Sequence, residues 1–203
     1  GLLILNVIRP KWMQTFDSKE ELARAVLSEN AVGAGFVLGI DGNDGVGKTT
    51  LANTIAPLLN ASVLSLDDHI EKHKDGYVPF LRVGDIQAVF GKQTQPLIVE
   101  GVCLLAAAER IGIRLSRLVY IKRISDGEWC DEDECNPPED VEEFLIEREK
   151  GLKKFAHLKP QVGGSPQEET DNVALSEPRK EIIRYHAKYK PSHEADYVFF
   201  RQE

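Results

Sequence analysis

Apolar residues in this chain fall into two kinds of pattern. Short, nearly continuous apolar runs occur at residues 2–8, 36–40, 62–66, 96–99, 118–121 and 197–200. They are too short for buried helices and lack a polar face, so they predict strands covered on both sides. Between them, apolar residues recur every three or four positions. Asp17 and Ser18 offer an N-cap, with Glu20 and Glu21 in the first turn, ahead of Leu22, Ala23, Val26 and Leu27 on one helical face. Further helices are predicted at 50–56, with Pro57 kinking or ending the helix, and at 84–90 and 102–111. Pro137 and Pro138 introduce a helix at about 139–155, acidic at its start and carrying Lys150, Lys153 and Lys154 at its end; Val141, Phe144, Leu145, Leu152 and Phe155 form its apolar stripe. Residues 161–177, rich in Gly, Pro and acids, predict a loop, and Ser176 caps a last helix closed by Pro191. No internal repeat is visible.

Strands alternating with helices define an α/β protein with a parallel sheet covered on both faces. At 203 residues the chain is expected to be one domain. Residues 1–34 form an N-terminal strand-and-helix extension adding an edge strand, and about 123–176 a lid-like insertion of helix and loop. Ligands in such sheets bind beyond the carboxyl ends of the strands. That rule places residues 42–49, Asp67, Asp68 and Glu100 on one edge.

The stretch Gly42-Asn43-Asp44-Gly45-Val46-Gly47-Lys48-Thr49-Thr50 matches the phosphate-binding pattern G-x-x-x-x-G-K-[ST], between a predicted strand and a predicted helix as the pattern requires. Its glycines let the backbone turn tightly so that successive N–H groups point inward as an anion nest, backed by the positive end of the helix. Lys48 reaches the β- and γ-phosphates, and the Thr49 hydroxyl ligates Mg²⁺.

Composition is ordinary for a globular protein, 42% hydrophobic and 29% charged. No apolar run approaches the roughly 20 residues of a membrane span, and the first residues lack the basic region of a secretory signal. Three cysteines are too few to staple a domain of this size, so a cytoplasmic location is expected. Cys130 and Cys135 lack the second pair that a structural zinc site uses. The net charge of −8 is local: residues 126–143 hold ten acids and no Lys or Arg, leaving +2 on the rest of the chain. That distribution argues against a nucleic-acid surface and reads as the solvated face of a loop or lid.

Phosphoryl transfer also needs a carboxylate near the metal and a group that orients the acceptor. Glu100, at the end of an apolar strand, fits the metal carboxylate or is a strand-end acid facing water. Asp67 fits the residue that hydrogen-bonds the acceptor hydroxyl and takes its proton; Asp68 is its rival, and either could instead cap a helix. His69, His73, Tyr77, Arg82 and Asp85 are candidates for the substrate pocket.

Residues 39–50, 60–68 (ending Ser-Leu-Asp67-Asp68), 96–105 (Pro-Leu-Ile-Val-Glu100-Gly101 onward) and Ala195-Asp196-Tyr197-Val198 together resemble the uridine kinase-like P-loop kinases, the group of uridine/cytidine, nicotinamide riboside and pantothenate kinases. The match covers about 36–122 and resumes near 185–200. It implies the P-loop NTPase fold, three layers around a five-stranded parallel core, with ATP and Mg²⁺ as cofactors, Asp67 as base, Glu100 near the metal, and Ser192 to Ala195 near the adenine. The expected activity is transfer of the γ-phosphoryl group to a hydroxyl of a small nucleoside- or vitamin-like metabolite. That family carries several arginines after the fourth strand in a lid over the phosphates. Here Arg123, Arg148 and Lys150 are the available cations around the acidic run, so a regulatory nucleotide-binding protein or a hydrolytic NTPase is the alternative.

Overall fold

The structure, a computed structural model, describes residues 13–156 and 174–203. The strand expected at 2–8 and most of the loop expected at 161–177 lie outside the described residues. The elements in chain order are β1 (Gln14–Phe16), α1 (Lys19–Glu29), β2 (Val37–Gly42), α2 (Lys48–Leu59), β3 (Ser62–Ser65), α3 (Val83–Phe90), β4 (Leu97–Glu100), α4 (Leu104–Ile111), β5 (Arg117–Ser125) and β6 (Glu128–Trp129). After them come α5 (Glu132–Cys135), α6 (Val141–Ala156), α7 (Glu177–Tyr189), α8 (Pro191–Glu194) and β7 (Tyr197–Gln202). Single 3₁₀ turns at Asp67–His69 and Val78–Phe80 lie between β3 and α3.

One sheet runs in the order β1-β7-β5-β2-β4-β3, every neighbour parallel, with β6 added antiparallel to β5. The five predicted core strands are all present, extended by an edge strand on one side. That edge strand is Gln14–Phe16, three residues whose partner β7 lies at the far end of the chain. Such a segment carries no local signal.

Side-chain alternation divides the core into two layers. Leu38 and Ile40 of β2, Ile98 of β4, Val119 and Ile121 of β5, and Tyr197 and Phe199 of β7 pack with Leu22 and Val26 of α1 and Leu51 and Ile55 of α2. Val37, Leu97, Val99, Leu118, Tyr120 and Val198 point the other way, against Ile86 of α3 and Leu104 and Ile111 of α4. The α1 N-cap is Ser18, whose hydroxyl accepts from the Glu21 N–H at 3.3 Å. Helix α2 runs through Pro57 and ends two residues later.

Three expectations change. The helix after β4 begins at Leu104, because Cys103 takes a left-handed φ of +57° outside it. β5 reaches Ser125, because Asp126 and Gly127, with φ of +53° and +84°, make a two-residue turn into β6. An Asp-Gly pair is a hairpin signal that the acidity of the segment hid. Residues Ser192 to Ala195 lie at the amino end of the sheet, since Asp196 N–H donates to Leu118 O and Tyr197 faces Val119. The phosphate loop follows the carboxyl end of β2, level with Ile121 of β5. The end of β7 that reaches it is Arg201, whose Nη1 donates to Gly45 O at 3.2 Å. Ser192 to Ala195 thus lie at the opposite end of the sheet from the phosphate loop, contrary to the expected place beside the adenine.

Candidate active site

The phosphate loop spans the turn from β2 into α2. Gly42 lies where a Cβ would stand 2.9 Å from Val46 Cγ2 and 3.1 Å from Ile121 O, and Gly47 caps α2 with a φ of +91°. Both positions require glycine. Lys48 is 5% exposed, and its ammonium group donates to Asn43 O at 2.7 Å and Gly42 O at 3.4 Å, curled over the nest that its own loop makes. The Thr49 hydroxyl donates to Glu100 Oε1 at 3.0 Å. Glu100 is fully buried, and its second oxygen has no hydrogen-bond partner. A hydroxyl beside a carboxylate with one unpartnered buried oxygen is a hard oxygen set of the kind that Mg²⁺ takes, so these residues fit the metal that the loop implies.

Asp67 follows β3 on the same edge. Loss of hydration raises its carboxyl above the ordinary range; the Lys48 charge opposes this, and Glu100, Asp44 and Asp68 add to it. The residue as a whole is exposed. An exposed carboxylate with a raised pKa suits a general base. Tyr77 also reaches this region, lining one cavity with Asn43, Asp44, Arg123, Arg148 and Arg179, of about 590 Å³. Its N–H and that of Val78 donate to the two oxygens of Glu181 at 2.8 and 2.9 Å, so α7 holds this segment in place. Arg82 turns elsewhere, to Asp68 O at 2.7 Å and Asp85 at 3.2 Å. His69, His73 and Asp85 are not among the residues lining that cavity.

Of the anticipated lid cations, Arg123 and Arg148 both face the cavity, and both are already paired. Arg123 Nη2 donates to Asp131 Oδ1 at 2.7 Å, and the same oxygen accepts from Asn43 Nδ2 of the phosphate loop at 3.2 Å. Arg148 reaches Glu134 at 2.9 Å and Asp133 at 3.3 Å. The acidic run is thus not one solvated face: Asp131 and Glu134 are each 8% exposed and lie against arginines.

Three participants were not anticipated. Arg179, in the first turn of α7, joins the cavity, and its sequence neighbourhood carries no sign of it. Arg201 reaches the loop from β7. Asp41, an acid inside an apolar strand and therefore visible in retrospect, is fully buried directly before the loop. It accepts from the Gly42 N–H at 2.8 Å and from the Tyr185 hydroxyl of α7. Burial pushes its carboxyl up to about 6, against the opposing pull of Tyr185, the Gly42 amide and Lys48. The next residue, His186, is held neutral: burial lowers its pKa to about 4, while its Nδ1 donates to Ile182 O and its Nε2 accepts from the Tyr120 hydroxyl, both at 2.8 Å.

Neither a protein-family model nor a curated protein sequence matches the chain. Solved structures do. A "possible uridine kinase" from Bacillus stearothermophilus is similar at 17% identity and a TM-score of 0.49, over 89% of this chain and 96% of that one. A "putative fructose transport system kinase" from Silicibacter sp. TM1040 is similar at 14% identity and a TM-score of 0.50, over 89% and 98%. The second likeness is one of fold: the chain shares with that protein a parallel α/β sheet covered by helices. Among the described residues no helix is long and apolar enough to cross a membrane.

Proposed function

We propose that the protein is an ATP- and Mg²⁺-dependent kinase that transfers the γ-phosphoryl group to a hydroxyl of a small metabolite of nucleoside, vitamin or sugar type. The observation that carries this reading is the convergence of Lys48, the Thr49–Glu100 pair and Asp67 on one sheet edge, where the Asp67 carboxyl responds to both Lys48 and Glu100. A switch-type hydrolase has no use for an acceptor base there. The solved neighbour named a putative fructose transport system kinase is consistent with a hydroxyl acceptor.

In this reading the loop amides and Lys48 bind the β- and γ-phosphates, and Lys48 leaves the Asn43 carbonyl to do so. Thr49 and Glu100 would hold Mg²⁺, which neutralises charge on the transferred group. Asp67 accepts the proton of the acceptor hydroxyl, and Tyr77 lies on the acceptor side of the cleft. The Asp41–Gly42 contact fixes the first turn of the loop. The expected location is the cytoplasm, and the partner is the small-molecule substrate.

The deciding experiment is Mg²⁺-ATP consumption by the purified protein against a panel of nucleosides, nicotinamide riboside, pantothenate and sugars including fructose, with Asp67→Ala alongside. Acceptor-dependent ADP release that disappears in the variant is the expected result. Nucleotide binding without acceptor-stimulated turnover would move the assignment to a regulatory nucleotide-binding protein.

A further inference from the structure

Two arginines from different helices converge on one carboxylate in the cavity beside the phosphate loop. Arg148 Nη2 of α6 lies 2.9 Å from Glu134 Oε1, and Arg179 Nε of α7 lies 2.8 Å from the same oxygen, with Arg179 Nη2 donating to it as well. The Glu134 side chain is only 10% exposed. Burial would raise its carboxyl, but Arg179 and then Arg148 outweigh burial and hold it below the ordinary range. Around them, Arg184 pairs with Glu142 at 2.7 Å and Lys180 with Glu149 at 2.9 Å, tying α6 to α7 and keeping both arginines on one wall.

An anion gripped by two guanidinium groups beside an anion-binding loop stands where a phosphate oxygen would satisfy the same donors. Across the cavity, Asp131, Asp133 and Glu134 offset Arg123, Arg148 and Arg179 charge for charge, and Asp44 of the loop leaves the balance negative. A polyphosphate entering this space meets arginines that are already occupied.

We propose that Arg179, together with Arg148, contacts the terminal phosphate of the bound nucleotide, and that Glu134 is an internal anion that occupies both guanidinium groups until the phosphate displaces it. The inference rests on the phosphotransferase reading for its nucleotide. It adds a cation from α7, beyond the expected lid arginines, and gives the acidic run a purpose: it keeps two inward-facing arginines paired when no nucleotide is bound, at the expense of nucleotide affinity.

The test is equilibrium titration of the full chain with MgATP and MgADP. Glu134→Gln keeps the side-chain shape and removes the competing charge, so MgATP should bind about tenfold tighter while MgADP changes by about twofold or less. Arg179→Ala should weaken MgATP by about tenfold with little effect on MgADP, and in the Glu134→Gln background it should erase the gain. The Arg179 side chain is 49% exposed and Arg148 stays against Glu134 when it is truncated, so Arg179→Ala is the second variant that decides the matter if Glu134→Gln does not fold. Unchanged or weaker MgATP binding by a folded Glu134→Gln variant would overturn the proposal, as would equal effects of Arg179→Ala on both nucleotides. A wild-type protein that binds MgATP but phosphorylates no acceptor would end the kinase reading, while these titrations would still decide the two arginines.

Discussion

On the proposed reading, the two walls of the site, the phosphate loop and the arginine cluster, hold a polyphosphate in opposite ways. On one wall, nine consecutive residues from Gly42 to Thr50 include Lys48, whose ammonium group donates to two carbonyls of its own loop. On the other, Arg123 comes from β5, Arg148 from α6 and Arg179 from α7, and every one is ion-paired to a carboxylate between residues 131 and 134. The first wall is a local structure made by glycine geometry and a helix end. The second exists only once distant elements have packed. Its charges are already paired, so under the proposal it answers a ligand by exchange of partners, whereas the loop would accept the ligand directly.

Substitutions separate the two. The largest effect is expected at Asp67, on the loop side: Asp67→Ala should lower turnover by roughly 10²–10⁴ with nucleotide binding nearly unchanged, read by comparing kcat with the MgATP dissociation constant. Lys48→Ala should lower turnover by roughly 10²–10³ and weaken MgATP as well. On the arginine wall, Arg123→Ala should reduce turnover by about tenfold or less, because its guanidinium already has Asp131 as partner and must be released to act. A loss as large as that of Lys48→Ala would erase the distinction between the walls.

Three smaller effects concern the titration of Asp67 and the support behind the loop. The raised pKa of Asp67 puts the acid limb of kcat above the ordinary carboxylate range, since a base works only when ionised: activity falls as pH drops through that pKa, and Asp67→Ala should abolish the limb. Asp41 acts on stability with the opposite sign. Its folded pKa of about 6 exceeds the ordinary 3.8, so the native state binds the proton more tightly. The stability it contributes is complete below pH 3.8 and is lost as pH rises through about 6. Thermal melts should therefore show a smaller fall in midpoint from pH 4 to 7 in Asp41→Asn than in the wild type. Tyr185→Phe, which removes one donor to Asp41, should cost about 1 kcal/mol or slightly more.

Much of this architecture is legible in the sequence. Continuous apolar runs identified β2, β3, β4, β5 and β7, because a strand buried on both faces cannot hide its composition. The phosphate loop was legible because its requirements, glycine at a positive φ and a lysine at the helix start, are met by adjacent residues. Glu100 and Asp67 were legible because each terminates a strand and the carboxyl ends of parallel strands share one edge.

What remained hidden depended on partners far away in the chain. β1 is three residues long and is a strand only because β7 pairs with it. Glu134 looks like any surface acid until α6 and α7 bring Arg148 and Arg179 against it, and the two guanidinium groups compensate the hydration that this carboxylate loses. The Ser192–Ala195 assignment failed because it followed proximity in sequence to β7 without regard to strand direction, and in a parallel sheet direction decides which end meets the ligand. Local backbone geometry and hydrophobic pattern in the sequence are enough to set the layered α/β fold and the glycine-rich loop with Lys48 at its helix start. Only the tertiary structure decided which charges face the cavity and which of them neutralise one another, because electrostatic pairing depends on distance in space and no local pattern encodes it.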